Sequence, residues 1–266
     1  MDHAIGDSPG AVKPVGLEAN NLTLRFGGVT ALNGVSLTIL DDELLAVIGP
    51  NGAGKTSLLN SLCGFYQPQE GRIRFQGKDV IGQAPHQIAG DGLIRTFQGT
   101  HLFSGMTVLD NIMVGRHVHM KTGLLKSFCY YPWAHKEELE HREFVEEIID
   151  FLEIEAIRHS IVGSLGYGLR KRVDLARALA MEPKALLMDE PMAGMNTEEK
   201  EDLARFILDI REAQKIPVVI VEHDMGVIMD IADRIAVLDF GSKIGEGTPE
   251  EIQKNEAVIN AYLGGH

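Results

Sequence analysis

Residues Leu44 to Leu59 read LLAVIGPNGAGKTSLL, and no other stretch narrows the possible folds as much. Leu44-Leu45-Ala46-Val47-Ile48 is an apolar run with the length of a buried strand. It passes into Gly49-Pro50-Asn51-Gly52-Ala53-Gly54 and then Lys55, Thr56 and Ser57, after which Leu58, Leu59 and Leu62 take helical spacing. A G-x-x-x-x-G-K-[ST] pattern between a strand and a helix is a phosphate-binding loop. Glycines allow backbone N–H groups to close around phosphate oxygens without Cβ clashes. The helix that follows points its positive end at the same anion. Lys55 can neutralise β- and γ-phosphate charge, and the Thr56 hydroxyl can ligate Mg²⁺. A glycine-rich turn with a chance lysine is the bland alternative, and it leaves the strand and helix flanks unexplained.

A chain of 266 residues can bury a large core. No apolar run approaches the roughly 20 residues of a membrane span. Met1 to Pro14 is polar and lacks an apolar signal core, so residues 1–16 are expected to be a mobile extension on a cytoplasmic protein. Cys63 and Cys129 have neither disulfide-framework nor metal-ligand spacing, and Cys63 is expected to pack in the helix after the loop. The net charge of −13 argues against a broad nucleic-acid surface.

Leu17 to Arg25 and Val35 to Ile39 alternate apolar and polar residues as half-buried strands do, and Gly71 to Phe75 is a third short strand. These three predict an antiparallel β layer beside the nucleotide fold. After Pro85 the pattern turns helical, with apolar residues at helical spacing over Val108 to Val114 and Glu137 to Leu152. Between them, Gly123 to Trp133 is rich in aromatic residues, with the composition of a partner-binding surface or of a packed loop. Ala185 to Met188, Val218 to Val221 and Ile235 to Leu238 are continuous apolar runs, the signature of parallel strands covered on both faces. Leu203 to Ala213 fits a crossover helix. Thr248-Pro249-Glu250-Glu251 is a capping box that starts a helix running through Leu263. The expected organisation is an α/β nucleotide-binding core over 17–95 and 182–266, with a helical subdomain inserted over 96–181.

Asp189 and Glu190 end the run Ala185 to Met188, and ligands bind at the carboxyl edge of such sheets. Asp189 suits Mg²⁺ held through water, and Glu190 suits orienting or activating a water. A strand ending in solvated acids is the alternative; Lys55 upstream favours the functional reading. The basic triplet Arg170-Lys171-Arg172 reads as a solvated helix face.

The order of phosphate loop, Gln98, helical segment, glycine-containing turn before Arg170 to Leu179, Asp189-Glu190-Pro191 and His223 resembles the nucleotide-binding subunit of ABC transporters. The resemblance covers nearly all of Leu17 to Leu263. It implies a P-loop NTPase core with a mostly parallel sheet, an antiparallel β subdomain and an inserted α-helical subdomain, binding ATP and Mg²⁺. By the same resemblance Phe26 stacks on adenine, and Gln98 touches Mg²⁺ and water and senses the membrane subunit. Ala193-Gly194-Met195-Asn196 crosses a dimer interface, with Asn196 where aspartate is commoner. His223 contacts the γ-phosphate. Each assignment is chemically sound: an aromatic face stacks on a base, and an imidazole donates to a phosphate oxygen. From the residues alone Phe26 could be core, and Gln98 and His223 surface or capping residues.

One motif departs from the family, where Leu-Ser-Gly-Gly-Gln is usual and Leu165-Gly166-Tyr167-Gly168-Leu169 stands here. Backbone N–H groups of Gly166, Tyr167 and Gly168 can still bind a γ-phosphate, and Ser164 or Tyr167 could supply a hydroxyl. Arg25-Phe26-Gly27-Gly28, the Tyr-Gly signature, the aromatic insert and the ending Gly245 to Ile252 resemble the larger ATPase of branched-chain amino acid importers. Related ATPases serve importers of urea, amides or aromatic acids. The resemblance implies an ATPase on the cytoplasmic face of the inner membrane, with membrane permease subunits and, indirectly, a periplasmic or extracellular binding protein. It implies a second homologous ATPase, in a heterodimer or alternatively a homodimer. A soluble ABC ATPase of translation or DNA maintenance carries paired cassettes or coiled coils, and neither occurs here. A nucleotide-binding regulatory subunit without hydrolysis is argued against by Asp189, Glu190 and His223.

Overall fold

The computed structural model describes residues 15–119 and 131–263. The expected N-terminal extension before Val15, Cys129 and residues 123–130 of the aromatic insert lie outside these.

Two sheets organise the chain. β1 (Val15–Phe26), β2 (Val29–Leu40), β4 (Glu70–Phe75) and β5 (Lys78–Asp79) form an antiparallel sheet in the order β2-β1-β4-β5. β3 (Leu44–Ile48), β6 (Leu93–Thr96), β7 (Ala185–Asp189), β8 (Val218–Val221), β9 (Arg234–Asp239) and β10 (Ser242–Gly247) form the second, in the order β10-β9-β3-β8-β7-β6. Every neighbouring pair in it is parallel except β9 with β10. The continuous apolar runs are therefore parallel strands, and β3 is central with all five residues fully buried.

Alternation along β3 divides the interior in two. Leu45 and Val47 join a core with α1 (Lys55–Leu62) and the antiparallel sheet, through residues such as Leu17, Ile39, Leu58 and Leu62. Leu44, Ala46 and Ile48 join a core with the helices on the other face. Those helices are α3 (Val108–Arg116), α4 (Tyr131–Phe151), α5 (Tyr167–Leu179), the crossover helix α6 (Thr197–Gln214) and α7 (Met225–Ile231). The short α2 (Pro85–Gly90) precedes β6. Cys63 is buried at the end of α1, as expected.

The C-terminal segment differs from expectation. Thr248 does cap a helix, with Pro249 in its first turn and the reciprocal Glu251 contact. That helix, α8 (Pro249–Gln253), stops, and α9 (Glu256–Leu263) starts afresh. Asn255 causes the break, because its Oδ1 accepts from the N–H groups of Ala257 at 3.0 Å and Val258 at 3.3 Å. β6 was not expected at all: its four residues sit in a region whose apolar pattern reads as helical, and only pairing with β7 makes a strand of them. Among the described residues, no helix is long and apolar enough to cross a membrane.

Candidate functional site

Because β3, β6, β7, β8 and β9 run parallel, their carboxyl ends share one edge, and the predicted site residues other than Phe26 and Gly166 to Gly168 lie at or after strand ends on it. The phosphate loop leaves β3 through Gly49 (φ 151°), where an added Cβ would lie 2.1 Å from the Leu238 carbonyl oxygen of the adjacent strand. Gly54 (φ 101°) leads into α1, and a Cβ there would lie 2.5 Å from the Ala31 carbonyl oxygen. Both positions combine a left-handed backbone with contact against another strand, so they need glycine. Ala53 is buried; its N–H donates to Pro50 O (3.1 Å) and its carbonyl accepts from Gly241 N–H (3.0 Å). Asn51, Gly52 and Thr56 are exposed, and Ser57 is half-buried.

Lys55 is buried, and its Nζ donates to the Gly49 carbonyl at 2.8 Å and the Pro50 carbonyl at 3.0 Å. Burial lowers its pKa, and the negative charges of Glu190 and Asp189 oppose that.

Asp189 ends β7 buried, and its Oδ2 takes a 2.7 Å bond from Arg95 Nη2. The same guanidinium donates to Asn60 Oδ1 at 2.6 Å and covers the Phe97 ring at 4.9 Å. Glu190 follows with a left-handed backbone (φ 48°), its N–H donating to Val221 O at 2.8 Å. Gln98 Nε2 donates to one Glu190 oxygen at 2.6 Å, and His223 Nε2 lies 2.6 Å from the other. An ionised carboxylate only accepts, so His223 carries its hydrogen on Nε2 in that state. Lys55, Asp189, Glu190, Gln98 and His223, spread from residue 55 to residue 223, thus gather at one edge. Glu222, buried beside them, accepts from Met192 N–H (2.7 Å) and His223 N–H (3.0 Å). Burial raises its pKa, against the pull of those two bonds.

Phe26 is half exposed, so it is not core, and it meets Tyr66 edge to face at 5.0 Å. The glycine-containing turn opens α5, with Gly166 as its N-cap. Gly166 and Tyr167 are exposed, whereas Gly168 is buried where a Cβ would fall 2.2 Å from Glu199 Oε1. Tyr167 turns its hydroxyl toward Gln98 O (3.5 Å) and its ring toward Gly194, both within its own chain. The Ser164 hydroxyl is already bonded to Ile161 O at 2.7 Å. Asn196 caps α6 by accepting from Glu199 N–H at 2.9 Å.

The expected solvated face at Arg170-Lys171-Arg172 is not found. Arg170 donates to Leu165 O and Gly163 O, Arg172 pairs with Asp202, and Lys171 is buried. Its spacing held the signal: Lys171 stands four and seven residues before the buried Leu175 and Ala178, on the face α5 turns inward. Arg95 was also missed. A lone cation among Leu93, Ile94 and Thr96 was its trace in the sequence.

The sequence profile described as ABC transporter matches residues 32–193, well over half of the chain. The chain belongs to the ABC transporter ATP-binding family. A second profile, Branched-chain amino acid ATP-binding cassette transporter, matches residues 242–266 of this ABC ATPase. The chain is 40% identical over 248 residues to the high-affinity branched-chain amino acid transport ATP-binding protein BraF of Pseudomonas aeruginosa, covering 93% of this chain and 97% of that one. It is 40% identical over 251 residues to the corresponding LivG protein of Escherichia coli, with the same coverage of each. Among solved structures, the nucleotide-free ATP-binding cassette of an ABC transporter superposes with a TM-score of 0.81 at 32% identity, covering 92% of this chain and 98% of the other. The ADP conformation of an ABC transporter cassette gives the same TM-score and identity, covering 93% and 98%. The ABC ATPase described here is thus a nucleotide-binding, ATP-hydrolysing transporter subunit.

Proposed function

We propose that this ATPase energises import of branched-chain or closely related amino acids, from the cytoplasmic face of the inner membrane. The observation that carries the reading is the branched-chain profile at residues 242–266, joined to relatives of that description aligned over nearly their whole length.

Within the site, Phe26 stacks on the base, and the loop from Gly49 to Ser57 wraps the phosphates. Lys55 exchanges its loop carbonyls for β- and γ-phosphate oxygens. Glu190 takes the proton of the water that attacks the γ-phosphorus as the bond to the leaving ADP oxygen breaks. The contacts of Gln98 and His223 with its carboxylate, each at 2.6 Å, support giving them the neighbouring roles, Gln98 toward that water and His223 toward the γ-phosphate. His223 then donates to a phosphate oxygen as charge develops there. Thr56, Asp189 and Gln98 would hold Mg²⁺, which neutralises phosphate charge when bound. The donor set fits: Asp189 ties Oδ2 to Arg95 with Oδ1 beside it, Thr56 is exposed, and among the described residues no group of three or more His, Cys, Asp or Glu side chains forms a cage of its own. Mg²⁺ is typically bound by one or two carboxylates plus substrate phosphates and water.

Gly166 to Gly168 complete the pocket of a second, homologous ATPase, in a heterodimer. The apolar cleft of about 350 Å³ between β6 and α3, lined by Phe65, Phe97, Val114, Val118 and Met181, receives a cytoplasmic segment of the membrane permease. Purification of the tagged chain from membranes tests the assembly: two distinct permeases and a second ATPase are expected. Leucine uptake by the reconstituted complex tests the substrate; ATP-driven uptake of urea or an aromatic acid without any of leucine, isoleucine or valine would overturn it.

A further inference from the structure

Lys171 is a buried ammonium that forms no ion pair among the described residues. Its Nζ donates instead to two main-chain carbonyls, Gln98 O at 2.7 Å and Glu190 O at 3.3 Å. Those two residues also join through their side chains, at 2.6 Å. Glu190 holds a left-handed backbone (φ 48°), an unfavourable conformation that persists only where its surroundings enforce it. Its N–H is tied to β8 by Val221 O, and its carbonyl is tied to α5 by Lys171. Tyr167, one turn earlier on α5, faces the same Gln98 carbonyl, and the ammonium lies 5.6 Å from its ring centroid. Burial lowers the Lys171 pKa, opposed first by Asp174 and then by Glu222, Asp189 and Glu190, so four carboxylates support its charge without binding it directly.

We propose that Lys171 is a positioning residue for ATP hydrolysis: one ammonium on α5 sets the placement of Gln98 relative to Glu190. This rests on the roles given to those two residues above. A displacement of α5 is thereby carried to the water-orienting pair through two hydrogen bonds. The departure from the family signature gains a role within the chain as well, since Tyr167 and Lys171 both bind α5 to the chain's own Gln98 segment.

The test compares Lys171→Met and Lys171→Arg in the full-length protein. Steady-state hydrolysis gives kcat and KM, and a fluorescent ATP analogue with EDTA gives Kd. Lys171→Met is expected to lower kcat by about tenfold to a hundredfold, the scale of a misplaced reacting group. KM and Kd should stay within about threefold of wild type, and Lys171→Arg should recover most of kcat because its fork still reaches both carbonyls. In a Glu190→Gln background Lys171→Met should lower turnover no further. Wild-type kcat in Lys171→Met overturns the proposal. So does a kcat loss matched by an equal loss of ATP affinity and not recovered by arginine. If Lys171→Met fails to fold, Lys171→Gln decides by the same split between kcat and Kd. Full turnover in Glu190→Gln alone would remove the proposal together with the role of Glu190. Wild-type turnover in Lys171→Met beside a dead Glu190→Gln removes the proposal only.

Discussion

Replacing Arg95 by Met should destabilise the protein far more than an ordinary surface change. The Arg95 and Asp189 side chains are 4% and 5% exposed, and they meet at 2.7 Å. Methionine keeps much of the packing against Phe97 but removes the charge-assisted bond to Asp189 and the bond to Asn60. The Asp189 carboxylate is then left buried without its partner, a situation that costs about 3–5 kcal/mol. Lys55 and Lys171 still attract Asp189, which places the expectation near the lower end, about 3 kcal/mol. For a chain of this size that corresponds to a fall in Tm of about 6–12 °C. Urea denaturation followed by far-UV circular dichroism, without nucleotide, measures the loss. The paired variant Arg95→Met/Asp189→Leu removes both charges, so its stability should exceed the additive expectation by at least about 2 kcal/mol. A loss below about 1 kcal/mol, or strict additivity, would refute the view that burial makes this pair costly to break.

Lys55→Ala should abolish ATP binding, because phosphate charge is left unneutralised; equilibrium binding with wild-type affinity would sink the assignment. Glu190→Gln should bind ATP yet hydrolyse it about 10²–10⁴-fold more slowly, the range for losing a general base, as read by single-turnover kinetics. Asp174, buried with Arg177 beside it, has its pKa raised by burial, so the native state binds its proton more readily than the unfolded chain. Its contribution to stability is therefore fully present below the unfolded pKa and is lost as pH rises through the native one. Asp174→Asn removes that step: its stability relative to wild type should shift in the variant's favour as pH rises from 4, then level off. A pH-independent difference between the two in denaturant titrations would contradict the assignment.

The elements legible in advance were those whose burial repeats along the chain. β3, β7, β8 and β9 are covered on both faces, so their sequences are unbroken apolar runs and needed no partner to be recognised. The capping box at Thr248 was equally local, because its bonds close within four residues. β6 was hidden because Arg95 and Thr96 cut its apolar run to two residues, whereas the equally short β8 is apolar throughout. The break at Asn255 was hidden because an asparagine reads as a surface residue until its side chain takes up the next N–H groups.

The site divides along the same line. Strand, glycine loop, lysine and helix lie contiguous from Leu44 to Leu62, and Asp189-Glu190 ends a strand of unmistakable composition, so local chemistry alone determined that this chain binds a nucleoside triphosphate. What only the tertiary structure decided was the company those residues keep. Arg95 lies on Asp189, Gln98 and His223 flank Glu190, and Lys171, readable as a solvated cation, is buried beneath them. Side-chain burial depends on which helix face meets the core, and a charged residue's own chemistry is silent on that. Parallel strands bring residues 95, 189 and 223 to one edge, and only that assembled edge gives their charges partners a few ångströms away.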